Sequence, residues 1–258
     1  MFDAIAPLAA GLLPFILVGF AAQIIDGALG MAFGVITQTM LVSVLGLPPA
    51  TASASVHLVE VFTTGTSGAS HLWRKNIDWP LFWRLVPAGV IAGVLGAYVL
   101  SSVDASAAKP YVMLYLAAIG IFLFYKAIFF GRWPRFKDPR YTGPLAFIGG
   151  FLDSAGGGGW GPIVTSNLLV QGGDPRTTIG TVNSAEFLLT LAVSITFLIT
   201  LGVSAFSQAV IGLIIGGVIA APIGAILTSR INARLLLFMV ATVLTATSIF
   251  TVVKAWNI

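Results

Sequence analysis

"FIGGFLDSAGGGGWGPIVTS" (147–166) sets one aspartate, four consecutive glycines and a tryptophan in an otherwise apolar stretch. Glycine costs a helix interior roughly 1 kcal/mol relative to alanine, so an unbroken run of four argues against a continuous helix. Small residues that let membrane helices pack closely are spaced by four, as Gly30/Gly34, Gly89/Gly93 and Gly212/Gly216 are here. The run at 156–159 lacks that spacing and is read as a break in a helix, with close packing as the bland alternative.

The surroundings are apolar along the whole chain. Of 258 residues, 57% are hydrophobic and only 9% charged, against roughly 25% charged in a soluble domain. Stretches near the ~20 residues that cross a bilayer recur at Leu85–Ser102, Tyr111–Phe130, Ser184–Leu201, Val210–Thr228 and Leu235–Val253. No soluble domain fits between them. The first 25 residues hold Asp3 and no Lys or Arg, so they are expected to form a first helix and not a cleaved signal. Cysteine is absent and histidine occurs twice, which removes thiolate chemistry and leaves no cofactor or metal called for. The net charge of +4 sits in short loops between apolar segments. That is a membrane-topology pattern, and nucleic acid is not an expected partner.

The break has a counterpart in the first half. An offset of 127 residues places Asp26 on Asp153, Gly30 on Gly157, Gly34 on Gly161 and Pro48 on Pro175, so "DGALGMAFGVI" answers "DSAGGGGWGPI". With one residue of slack, "SVHLVEVF" meets "TVNSAEFL", pairing Glu60 with Glu186 and His57 with Asn183. "GVIAGVLGA" (89–97) then meets "GVIAAPIGA" (217–225). The chain is read as an N-terminal repeat (1–130), a basic linker (131–142) and a C-terminal repeat (143–258).

Lys and Arg mark cytoplasmic loops. The segments 73–84, 131–142 and 229–234 hold nine of the thirteen basic residues, whereas 100–110 has one and 200–207 none. Basic 73–84 corresponds to neutral 200–207 in repeat coordinates, and nearly neutral 100–110 to basic 229–234. The repeats are therefore expected to be inverted, as in many secondary transporters. Residues 143–176 must enter and return, and they are too few for two full crossings. The expected fold is an all-α polytopic membrane protein of two inverted-topology repeats, each a broken or re-entrant hairpin plus three transmembrane helices, about 8–10 membrane segments in all.

Helices starting near Trp160-Gly161-Pro162 and near Phe33-Gly34 would aim free N–H groups and positive dipole ends at one cavity, a site for a small anion. The candidate substrate-binding residues are Gln23, Phe33, Gln38, His57, Gly157, Gly158, Gly159, Trp160, Gly161, Asn183 and Ser184. Buried acids in spanning segments default to function, and four of them are paired by the repeat: Asp26, Glu60, Asp153 and Glu186. They are candidates for coupling or gating, with capping of the broken helices as the open alternative for the aspartates. His57 is either a substrate or proton group or a plain hydrogen-bond partner. His71 lies at the basic end of its segment and reads as an interface residue.

Two enzymatic outlines carry less. "GTSG" (65–68) matches a serine-protease outline without a histidine on a second segment near Ser67, so helix packing accounts for it. An aspartyl dyad of Asp26 and Asp153 would not require a duplicated glycine break. The chain is not expected to be an enzyme, and it has no P-loop.

"GGFLDSAGGGGWGP" followed by "GTVNSAEF", within the duplicated outline, resembles the TauE/SafE family, also called the toluene sulfonate uptake permeases, over essentially the whole chain. The first-half "QIIDGALGMAFG" is compatible but lacks the full glycine run. The resemblance implies movement of sulfite, organosulfonates or related anions across the bacterial inner membrane. The function expected is a secondary transporter for sulfite or a small organosulfonate, coupled to H+ or Na+. The alternative is a passive small-anion channel or a carboxylate transporter of the same architecture. The expected partners are that anion, H+ or Na+ and the lipid bilayer; a homodimer is left open.

Overall fold

The computed structural model describes residues 2–129, 139–206, 209–227 and 233–256, and every long regular element among them is a helix. Most of the basic linker, 131–138, and residues 229–232 of the last basic loop lie outside the described residues. The order is α1 (Phe2–Leu29), α2 (Phe33–Ser43), α3 (Pro49–Trp73), α4 (Trp79–Ser102), α5 (Ala105–Ile128), α6 (Thr142–Gly156), a π-helical turn (Trp160–Thr165) running into α7 (Ser166–Val170), α8 (Pro175–Leu201), α9 (Ala209–Leu227) and α10 (Ala233–Trp256).

Helix starts follow their caps. Asp78 Oδ1 accepts from Leu81 N at 3.0 Å and Asp174 Oδ1 from Thr177 N at 3.0 Å, and proline fills the first turn of α3, α4 and α8. At α5 the exposed Asp104 takes bonds from the Ser106 hydroxyl and from the backbone N–H groups of Ala107 and Ser106. These hold its carboxyl below the usual range, the hydroxyl most strongly.

Four long contacts organise the bundle: α1 on α9, α4 on α6, α5 on α10 and α3 on α8. Glycines make three of them close. A Cβ on Gly19 would lie 2.5 Å from the Leu213 carbonyl oxygen, one on Gly150 2.5 Å from that of Gly89, and one on Gly120 would enter Thr245. Gly89/Gly93 and Gly212/Gly216 are therefore packing glycines, as their spacing suggests.

Among the described residues three helices are long and apolar enough to cross a membrane: Trp79–Ser102, Ala105–Ile128 and Arg176–Leu201. Shorter apolar stretches cover Gly11–Gly27, Phe33–Ser43, Ala209–Ile223 and Ala241–Val253. Helix α3 is missing from both sets because Ser, Thr and Gly fill its sequence, and it touches α2, α4, α5, α6, α8 and α9. A helix wrapped by protein on most sides does not need an apolar surface.

Gly96 on α4 lies where any Cβ would meet the Ser154 hydroxyl and sit 2.5 Å from the backbone oxygen of Phe151. Gly96→Ala is expected to destabilise the α4–α6 contact by about 1–3 kcal/mol, read as a lower melting temperature of the detergent-purified protein. Gly143→Ala, at a helical position with open space around it, should leave that temperature unchanged or slightly higher.

Candidate functional site

The glycine run stops α6 and turns the chain. Gly157 adopts the left-handed conformation (φ 76°), and the N–H groups of Gly157 and Gly158 both donate to Asp153 O, at 2.7 and 3.0 Å. Gly158 has φ 146°, which side chains rarely adopt. Gly156 and Gly159 are needed for space, since a Cβ on the first would enter the Tyr115 ring and one on the second would lie 2.6 Å from the Tyr115 hydroxyl. Val164 lies against Gly149, so the chain after the break runs back along α6. In the first half α1 ends at Leu29, Gly30 turns left-handed (φ 64°), Ala32 is held at φ 128°, and α2 starts at Phe33.

The two breaks meet. A Cβ on Gly34 would lie 3.1 Å from the Gly158 Cα, one on Gly158 2.5 Å from Val35 N, and one on Gly161 2.6 Å from the Met31 Cα. Each half closes its own break with its aspartate. Asp153 Oδ1 accepts from Gly159 N at 2.7 Å and Trp160 N at 2.9 Å. Asp26 Oδ1 accepts from Phe33 N at 3.4 Å, and its Oδ2 from Gln23 Nε2 at 3.5 Å. The amides of Phe33, Gly159 and Trp160 are thus already bound to carboxyl groups of the same half of the chain.

The second carboxyl oxygen of Asp153 reaches across to α3, where His57 Nε2 lies 3.1 Å from Oδ2. His57 Nδ1 is 2.8 Å from the Ser53 carbonyl and 3.3 Å from the Ser53 hydroxyl, whose own proton goes to Ser154 O at 2.8 Å. Both partners of Nδ1 are acceptors, so Nδ1 carries a proton. Nε2 and Oδ2 then form a hydrogen bond only if one further proton lies between them. One helical turn along α3, Glu60 is 3% exposed; its Oε2 has no hydrogen-bond partner, and its Oε1 would sit 2.9 Å from a Cβ on Gly34. Tyr115 on α5 donates to Gly158 O at 3.1 Å.

The sequence profile of the family described as "Sulfite exporter TauE/SafE" matches residues 15–251. The chain belongs to the TauE/SafE family. It is also 39% identical over 252 residues, 95% of this chain and 84% of the relative, to "Probable membrane transporter protein YtnM" of Bacillus subtilis (strain 168). No solved structure matches it. With these matches and its apolar helices, this TauE/SafE chain is a multi-pass membrane protein of a transporter family.

Around the breaks of this TauE/SafE protein the structure gathers Gln23, Asp26, Phe33, Gln38, His57, Glu60, Asp153 and the 157–161 segment. Gln38 Nε2 bonds Pro49 O at 3.3 Å, and its side chain fills the space beside Gly157. Trp160 is fully buried: its ring covers Gly89 and its Nε1 donates to Val182 O at 3.3 Å. It is a wedge between α4 and α8. Glu186 is buried within electrostatic reach of Glu60, Asp26 and Asp153. Asn183 and Ser184 point elsewhere: Asn183 Nδ2 donates to Ser67 Oγ at 2.9 Å, and Ser184 donates to Gly180 O at 2.7 Å and lies against Gly68. Neither has a hydrogen bond to the breaks among the described residues.

Sequence reasoning passed over Ser53, which fixes the imidazole, and Tyr115, which covers the glycine run. Ser53 carried a usable signal, being one helical turn before His57; nothing in the α5 sequence marks Tyr115. Lys126, on α5, is 7% exposed and donates to Ser166 O at 3.4 Å. His71 is buried against Gly180 of α8, not at a surface. His57, Glu60 and Asp153 each bring one ligand-type atom within 4.8 Å of the others. The hydrogen bonds already made by His57 and Asp153 mark the cluster as a proton-bearing network, and it is not assigned to a metal.

The backbone conformations predict opposite signs for two single-methyl changes. Gly158→Ala places a Cβ on Val35 N and is expected to abolish monodisperse folded protein on size exclusion. Ala32→Gly relieves a side chain held at positive φ and should raise the melting temperature by about 2–4 °C.

Proposed function

We propose that this protein is a secondary transporter that moves sulfite or a small organosulfonate anion across the bacterial inner membrane by alternating access, coupled to H+ or Na+. The observation that carries the reading is the backbone-to-backbone meeting of two broken helices at a buried centre, with four carboxyl groups and one imidazole around it. Family membership supplies the substrate class, through the description "Sulfite exporter TauE/SafE".

The helix contacts support two inverted repeats, 1–130 and 143–258, joined by the linker 131–142. Matching α1 to α6, α3 to α8, α4 to α9 and α5 to α10 turns the α1–α9 contact into the α6–α4 contact and leaves α3–α8 and α5–α10 unchanged. A pseudo-two-fold axis has that property. Trp73, Trp79 and Trp83 are exposed beside Arg74, Lys75 and Arg84, which supports a cytoplasmic membrane interface at the α3–α4 turn.

In this reading the anion is held by amide N–H groups of the breaks and by Gln23 and Gln38, with His57 acting on the site through Asp153. Asn183 and Ser184, which now bond Ser67 and Gly180, join it in a second conformation. The coupling group is drawn from the buried acids Asp26, Glu60, Asp153 and Glu186. Ser67 accepts a hydrogen bond from Asn183, and each aspartate caps its own break.

Sulfite, isethionate, taurine, sulfoacetate, sulfate and acetate should separate in a thermal-shift panel. A ligand present at 100 times its Kd stabilises by about 2.7 kcal/mol. One sulfur oxyanion is expected to raise the melting temperature, with the shift reduced in Glu186→Gln and Asn183→Ala. No shift with any sulfur anion rejects the substrate class. In proteoliposomes, uphill accumulation under an ion gradient separates the transporter from a channel, which only equilibrates.

A further inference from the structure

We infer that the coupling ion is a proton and that it is bound by Asp153 together with His57. The link is competition: the Asp153 carboxylate is an internal anion that holds the amides of Gly159 and Trp160 until it is protonated. The inference rests on the anion-transport reading above and assigns its coupling site.

Hydrogen-bond roles fix the proton count. Nδ1 of His57 must donate because Ser53 O and Ser53 Oγ both accept. The 3.1 Å contact between Nε2 and Asp153 Oδ2 therefore contains one proton, on nitrogen or on oxygen. With the proton on Nε2, Asp153 is a carboxylate whose Oδ1 takes the Gly159 and Trp160 amides at 2.7 and 2.9 Å. Those charge-assisted bonds are about twice as strong as neutral ones. An arriving oxyanion competes for the same two donors. It prevails when the proton moves along the contact to Oδ2, which leaves neutral imidazole, neutral carboxyl and one negative charge on the ligand. Without that proton the ligand would sit beside a second anion.

The neighbours agree with proton chemistry. Facing the pair are Glu60 on α3, Asp26 on α1, Glu186 on α8 and Tyr115 on α5. Helices α2, α7 and α9 carry no ionisable residue, and α4 only the exposed Arg84 and Tyr98. Glu60 is nine-tenths buried with Oε2 unpartnered, an acceptor toward the same centre. Sodium would require several converging oxygens, whereas the closest contact here ends on an imidazole nitrogen. The halves are also unequal. Asp26 has Gln23 where Asp153 has His57, and Asn183, the repeat partner of His57, is bound to Ser67. One proton site, in the second half, is the result.

The test is calorimetric binding of isethionate, whose sulfonate stays ionised from pH 5.5 to 9.5. Wild-type affinity should be level at low pH and then weaken by about tenfold per pH unit as the pair loses its proton. Asp153→Asn keeps an acceptor for both amides and carries no titrating proton, so its affinity should be independent of pH. His57→Gln should move the midpoint and keep the slope, which a merely structural partner would not do. Replacing Na+ with choline should change nothing. A pH-flat wild type, an unchanged slope in Asp153→Asn, a slope lost in Glu60→Gln, or a sodium requirement overturns the inference and leaves anion transport standing. If neither isethionate nor sulfoacetate binds at any pH, the transport reading falls and the inference falls with it.

Discussion

Backbone that leaves the helix inside an apolar chain has no water to satisfy it, and the rest of this structure depends on how that need is met. Each break is closed by an aspartate one turn before it, so a negative group must be buried wherever the chain turns. At the second break that group needs a partner, and His57 supplies it from α3. His57 in turn needs a fixed orientation, and Ser53 supplies that. A chain of obligations starting from two amide N–H groups thus produces the polar centre, and the chemistry of the site follows from the architecture.

The contact between the breaks also fixes the helices around them. Trp160 is the first residue after the glycines and, among the described residues, the largest fully buried side chain, seated over Gly89 of α4 and bonded to Val182 of α8. Any displacement of the break must carry this ring, and with it the α4–α8 packing. The first half places Phe33 there, with its ring near Gly217 of α9. Each broken segment is keyed to a helix of the opposite half: Trp160 to α4, Phe33 to α9.

Much of this was legible in the sequence because repeats and glycines are local signals. The internal match located both breaks, and the restarts at Phe33 and Trp160 fall where the glycine spacing placed them. Asp26 and Asp153 fit either capping or coupling by sequence alone; the geometry gives the capping bonds directly. What escaped depends on which helix faces which. Tyr115 over the glycine run, the Ser53–His57 pairing and the left-handed Ala32 are tertiary outcomes with no periodic trace. Asn183 and Ser184 match His57 and Leu58 by register, yet the rotation of α8 turns them toward α3 at Ser67 and Gly68. Register alone does not fix the direction of a side chain.

Helix α3 has one more consequence. Its small hydroxylated residues suit a position surrounded by other helices and suit lipid poorly, and its main partner, α8, is about a hundred residues further along the chain. During synthesis α3 emerges long before that partner exists. It must wait at the insertion machinery or against α2 and α4 until the second half arrives. Biogenesis of this protein is therefore a late, whole-chain event, and a ribosome stalled after the first half would leave an unstable polar helix in the membrane.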